Sequence, residues 1–97
     1  MTRPKTLRRI DTIPTVKWFK PANVKMLDLE EVSLTFDEIE AVRLADLEGL
    51  YQAKVADRMG VSRQTVGRIL VAARKKIAEA LVYGKAIRLE GGQIEYN

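Results

Sequence analysis

Gln52-Ala53-Lys54-Val55-Ala56-Asp57-Arg58-Met59-Gly60-Val61-Ser62-Arg63-Gln64-Thr65-Val66-Gly67-Arg68-Ile69-Leu70 is the stretch that decides the fold. Val55, Ala56 and Met59 recur at helical spacing and read as the inner face of a short helix over 51–59. Gly60 ends that helix, Val61 supplies an apolar plug, and Ser62 is an N-cap for the next one. From there Val66, Ile69, Leu70, Ala73, Ile77 and Leu81 keep the helical period for about twenty residues, about 30 Å at 1.5 Å per residue. Two helices joined by a three-residue turn containing glycine form helix-turn-helix geometry, with Ala56 small enough for a close crossing. The polar residues left outward at the start of the second helix are Arg63, Gln64 and Arg68, with Gly67 among them. Arginine suits the guanine edge and glutamine the adenine edge in a major groove. The competing reading is an ordinary helical hairpin whose polar face is simply wet.

Working outward, Thr35-Phe36-Asp37-Glu38 carries a capping box, with Leu34 and Ile39 placed as a hydrophobic staple. An acidic first helix is therefore expected over 35–48, burying Phe36, Ile39, Val42, Leu44 and Leu47, with Gly49 as its left-handed cap. Thr15-Val16-Lys17-Trp18-Phe19 reads as a short strand ended by Lys20-Pro21, its aromatic pair read as core rather than as a stacking platform for unpaired bases. Residues 86–96 alternate about Gly91-Gly92 and read as a β-hairpin. That hairpin has two competing roles: a wing touching phosphate through Lys85 or Arg88, or a packing edge.

Charge is strongly segmented. Residues 1–26 carry a net +6, residues 27–50 a net −7 and residues 51–88 a net +7, within an overall +4. Two basic segments suggest a polyanionic partner, whereas faces that neutralise one another within the fold are the alternative. The acidic helix is read first as a solvated outer face, paired in part with the basic arm, and second as a contact for RNA polymerase or a regulator. The arm itself, with Arg3, Lys5, Arg8 and Arg9, reads either as a minor-groove contact or as a solvated tail.

Cys and His are both absent, and Ser33 and Ser62 are the only serines. Thiol and imidazole chemistry and zinc sites built on those ligands are thereby excluded. The glycines match no phosphate-cradling or dinucleotide pattern. The expectation is a protein that is not an enzyme, with no catalytic residues, cofactor or metal. Met1 to Val16 is charged and interrupted by Pro4 and Pro14, so it has no apolar core of a secretory signal, and a cytoplasmic location is expected.

Leu44-Ala45-Asp46-Leu47-Glu48-Gly49-Leu50-Tyr51-Gln52, Met59-Gly60-Val61-Ser62-Arg63-Gln64-Thr65 and Gly84-Lys85-Ala86-Ile87-Arg88 together bring a family into view. The chain resembles an uncharacterised family of small prokaryotic proteins, predicted to bind DNA, whose helix-turn-helix is similar to region 4 of RNA polymerase sigma factors. Trp18-Phe19-Lys20-Pro21 and Arg8-Arg9 match its aromatic element and basic arm. Asn23 stands where glycine is usual in that family, and Ala53-Lys54-Val55 replaces a more acidic segment.

The fold expected is a mainly α single domain over 1–97. It has a sigma region 4-like, winged-helix-like helix-turn-helix over 51–82, a short N-terminal strand and a C-terminal hairpin. The function expected is transcription regulation through double-stranded DNA. The expected DNA contacts are Gln52, Ser62, Arg63, Gln64, Thr65, Gly67, Arg68, Arg74 and Lys75, with Arg3, Lys5, Arg8 and Arg9 as arm contacts. A homodimer is expected because one helix reads few base pairs. The alternative from another class is a protein-interaction module that engages RNA polymerase or another factor through the acidic helix, and there is no membrane partner.

Overall fold

The computed structural model describes residues 7–96. Thr35 opens the first helix as the sequence indicates: its Oγ1 accepts from Glu38 N at 3.4 Å while Glu38 Oε1 accepts from Thr35 N at 2.9 Å. These reciprocal bonds satisfy two backbone donors at the helix start. The helix α1 (Phe36–Val42) runs on into a π-helical turn, Arg43–Leu47, in which Glu48 N donates to Arg43 O. After a short connection come α2 (Gln52–Met59) and α3 (Arg63–Tyr83), joined by Gly60, Val61 and Ser62. Gly60 sits at φ +69°, a left-handed conformation that closes α2, and a Cβ there would meet Arg9 Nε at 2.9 Å.

The strands are β1 (Arg8–Ile10), β2 (Trp18–Phe19), β3 (Glu31–Leu34), β4 (Ala86–Leu89) and β5 (Ile94–Tyr96). They form two small sheets. β4 lies between β2, which it meets antiparallel, and β3, which it meets parallel, while β1 and β5 pair parallel with Arg8 opposite Ile94.

Two apolar clusters hold the described residues together. Leu44 of the π turn, Val55 and Met59 of α2, and Val66, Ile69 and Leu70 of α3 form the first, with Val61 packed on its edge. Leu34, Ala73 and Leu89 form the second, with Phe36, Ile39 and Ile77 around them. Val42 packs against both, so α1 bridges the α2–α3 pair to the three-stranded sheet.

Several expectations need correction. Residues 86–96 do not form a hairpin, because both edges of β4 are already occupied by β2 and β3. The chain instead crosses the start of α1, where Phe36 N donates to Gly91 O at 3.1 Å, and continues to β1. Arg8 and Arg9 are not a free arm, since they lie in β1 beside the fully buried Ile10. Arg3 and Lys5 lie outside the described residues. The strand read over 15–19 is confined to Trp18–Phe19, and its aromatic side chains are exposed rather than core.

The acidic helix is not simply a solvated outer face. Asp37, Glu38 and Glu40 are buried, with Glu40 only 1% exposed. Glu40 accepts from Asp11 N at 2.7 Å and from Arg43 Nε at 2.7 Å, and Lys76 Nζ lies 2.7 Å from Glu38 Oε1. Leu47 was expected in the core but is 80% exposed, because the π turn inserts an extra residue and rotates it away from the inner face. Leu81 is likewise exposed. Ala80 takes the inward position, and the sheet packs beneath Ala73 and Ile77 without reaching Leu81. Asn23 sits at φ +66°, which accounts for a position where glycine serves as well: asparagine is the side chain that best tolerates this region.

Gly91 and Gly92 have φ of +73° and +103°. A Cβ at Gly91 meets nothing within 4 Å, whereas one at Gly92 would lie 2.5 Å from Asp37 Oδ1 and 3.1 Å from Thr35 Cβ. Gly91→Ala is expected to cost about 1 kcal/mol from backbone strain alone. Gly92→Ala adds a clash at the α1 N-terminus, so it should be clearly the less stable variant in urea denaturation. Equal midpoints would show that α1 and the β5 approach do not pack as described.

Candidate nucleic-acid interface

The turn between α2 and α3 fixes which side chains of α3 face outward. Ser62 Oγ accepts from Thr65 N at 3.1 Å, capping the helix, and shares a 2.9 Å hydrogen bond with Thr65 Oγ1. Arg68 Nη2 donates to Thr65 Oγ1 at 3.3 Å. Ser62 and Thr65 are thus engaged in building the helix start, and Arg68 is tethered along its surface.

With Val66, Ile69 and Leu70 buried, Arg63, Gln64 and Gly67 lie along the flank of α3 beside that stripe, Arg63 and Gln64 exposed and Gly67 half-buried. Gln52, in the first turn of α2, joins them. These four residues line one open surface cleft of about 550 Å³. The sequence-derived residues Gln52, Arg63, Gln64 and Gly67 are therefore brought together. A methyl at Gly67 would meet only Gln52 Oε1, at 3.8 Å, so the glycine leaves the floor of the cleft open and is not required by the packing of a neighbouring helix.

Arg74 and Lys75 lie outside that cleft. Each stands eleven residues beyond Arg63 and Gln64 respectively, which returns it to nearly the same azimuth about 16 Å further along the helix. Arg74 is held by Asp46 through Nη2 at 2.7 Å and Nε at 3.2 Å. These hydrogen bonds hold the Asp46 carboxyl below its usual range and raise the Arg74 guanidinium, slightly opposed by desolvation. Lys75 is exposed. Arg9, from β1, packs on Gly60 and donates to Asp57 O at 3.3 Å, while Arg8 pairs with Asp37 at 3.8 Å and with the Gln93 side chain.

Several cations elsewhere are neutralised internally. Arg43 pairs with Glu40 and Glu48, Arg58 with Asp11, Lys76 with Glu38, Lys85 with Glu79 and Glu30, and Arg88 with Glu31 and Glu90. Lys85 and Arg88 are thereby committed within the fold. Among the described residues, Lys54, Arg63, Arg68 and Lys75 on α2 and α3 take part in no ion pair. Tyr51, which precedes α2 with its side chain 88% exposed beside Gln52, was not singled out from the sequence. An aromatic residue next to a helix start carries no sequence signal that separates a surface position from a core one.

The family model described as "Protein of unknown function DUF134" matches residues 1–97. The chain belongs to that family. It is 55% identical over 96 residues to a UPF0251 protein of Desulforudis audaxviator, covering 99% of this chain and 63% of that relative. Against a UPF0251 protein of Moorella thermoacetica it is 58% identical over 92 residues, 95% of this chain and 62% of the relative. Against one from Halothermothrix orenii it is 52% identical over 92 residues, 95% of this chain and 68% of the relative. The chain spans about 60% of the length of the first curated relatives it matches. No solved structure matches it. No helix among the described residues is long and apolar enough to cross a membrane.

Two outcomes follow from this geometry. Gly67→Ala should raise stability by up to about 1 kcal/mol, because alanine is the better helix former and meets no obstacle, and a lowered melting temperature would contradict the open cleft. Asp46 has a depressed carboxyl pKa, so its contribution is present at neutral pH and is lost as the pH falls through that depressed value. The pair is about half exposed, which limits the contribution to under about 1 kcal/mol. Asp46→Asn should therefore be slightly less stable at neutral pH and indistinguishable from the parent in strong acid.

Proposed function

We propose that this chain is a non-enzymatic DNA-binding protein that regulates transcription, using α2 and α3 as a helix-turn-helix similar to sigma factor region 4. The observation that carries the reading is the cleft at the start of α3. Arg63 and Gln64 stand there with Gly67 and Gln52, and Arg63 is held by no carboxylate of the described residues. In this reading the N-terminal turns of α3 enter the major groove. Arg63 offers two donors to guanine, Gln64 a donor and an acceptor to adenine, and Gly67 lets the backbone come close. Arg68, Lys54 and Lys75 supply phosphate contacts, and Ser62 and Thr65 preserve the helix start that aims them.

The acidic helix does not favour the alternative interaction module. Asp37, Glu38 and Glu40 are buried against partners of this chain, which leaves little of their charge for RNA polymerase or another factor. We further propose that two copies act together on a two-fold site in the cytoplasm, with half-sites about one helical turn apart or a multiple of it.

Selection of bound sequences from random duplexes tests the proposal. It should return an inverted repeat whose affinity falls with salt by about 0.9 logarithmic units per neutralised phosphate. Arg63→Ala should relax specificity at one position and cost about 1–3 kcal/mol there. Gly67→Ala should weaken specific binding while melting higher. A flat salt response would favour the interaction module, and a single unrepeated site would remove the dimer.

Asp46→Asn offers a separate reading of Arg74. Freed from its carboxylate, Arg74 should strengthen binding and steepen the salt slope by about 0.9 if it reaches a phosphate. Unchanged affinity would confine Arg74 to the fold. The arm is best tested by substituting Arg3 and Lys5, since deleting residues 1–9 also removes most of β1.

A further inference from the structure

The segment between β1 and β2 turns back over α1, tied there by the 2.7 Å bond from Asp11 N to Glu40. Beside that tie lies a cavity of about 240 Å³, walled by Thr12 and Pro14 from this segment and by Ile39, Val42 and Leu47 from α1 and the π turn. All of these but Thr12 are apolar. Glu40 and Arg43 also border the cavity, but they neutralise one another: Arg43 Nε and Nη2 donate to the two Glu40 oxygens at 2.7 and 3.0 Å, and Nη1 donates to Glu48. Leu47 stands in this wall because the π turn carries it out of the core. Single π turns are rare, and proteins keep them most often at functional sites.

We infer that this cavity is a binding site for a small uncharged molecule whose apolar body is the size of one substituted ring. An engineered apolar cavity of about 150 Å³ takes up benzene, so the volume here suits a somewhat larger body. A charged ligand finds no partner, since Arg43 and its two carboxylates already satisfy one another, and an unpaired charge is costly to desolvate. Thr12 offers a hydroxyl to one polar substituent. Size argues against a protein occupant: a stable interface takes about 800 Å² a side, and the apolar wall is confined to Pro14, Ile39, Val42 and Leu47. The π turn also sends Leu44 into the cluster with α2 and α3, and its Asp46 holds Arg74, so an occupant firms the element on which that pair packs. The site lies off α3 and does not depend on the duplex reading.

The probe is para-fluorotoluene, followed by its fluorine resonance in a titration with the full chain. Binding should be saturable, should raise the melting temperature with probe concentration and should slow amide exchange over residues 43–48. Fluorobenzoate and fluorobenzylamine, the charged analogues, should bind more weakly by about tenfold. Thr12→Phe places a ring in the cavity from an exposed position and should abolish binding. Leu47→Ala, at a side chain 80% exposed, should weaken binding about threefold with the melting temperature of the free protein unchanged. Arg63→Ala should leave the titration unchanged.

Absence of saturable binding would overturn the inference. So would equal affinity for the charged analogues, which assigns the cavity to a different chemistry, or equal affinity in both Thr12→Phe and Leu47→Ala, which places the probe elsewhere. Self-association of the parent that Leu47→Asp abolishes would give the cavity to a second copy instead. None of these measurements contains DNA, and the duplex selection contains no probe, so the two readings fall separately.

Discussion

Burial of one stripe of α3 is the constraint on which the other elements depend. Val66, Ile69 and Leu70 enter the cluster shared with α2 and the π turn, and Ala73 and Ile77 enter the cluster beneath the sheet. Fully burying a side chain of this size stabilises by about 1.5–3 kcal/mol, so a rotation that exposed the stripe would cost more than such a small domain has to lose. Fixing the inner face fixes the outer one. Rotation by a single residue would turn Arg63, Gln64 and Gly67 through about 100° and take them out of line with Gln52. The cleft is thus set by hydrophobic packing several residues away, and its own polar groups contribute little to placing it.

Electrostatics then sorts the cations into two kinds. The acidic segment is spent largely on the basic ones: Asp37 on Arg8, Glu38 on Lys76, Asp46 on Arg74 and Glu30 on Lys85. Ion pairs at exposed positions contribute little to stability, but they decide where charge is left over. The lysines and arginines in no ion pair include Lys54, Arg63, Arg68 and Lys75 on α2 and α3, and Lys17, Lys20 and Lys25 around β2. A segmental charge pattern in the sequence has become a spatial one after internal cancellation.

Much of this was legible because it is local. The capping box at Thr35 and Glu38, the glycine turn at Gly60, the Ser62 cap and the period of α3 all rest on residues within one or two turns of each other. So did the gathering of Arg63, Gln64 and Gly67. The misreadings share a different cause, which is partners far along the chain. β5 finds β1 rather than β4, and Glu40 is buried because Asp11 and Arg43 satisfy it. Arg74, expected as a DNA contact, is exposed, yet its bond to Asp46 depends on how the π turn lies against α3. Leu47 was misplaced for a local reason of another sort, since a π turn breaks the period on which the reading relied.

The parallel pairing of β1 with β5 makes the first and last strands of the described chain a single seam. Its hydrogen bonds join residues 8–10 to residues 94–96, so the seam closes only once the helices between them have brought the two segments together. Arg9 of that seam also touches the turn before α3, and Ile10 is wholly buried. Opening at the C-terminal strand therefore loosens the support behind Gly60, and amide exchange at β1, β5 and the turn should rise and fall together as one cooperative unit. β5 thus acts as the clasp on the element that aims α3.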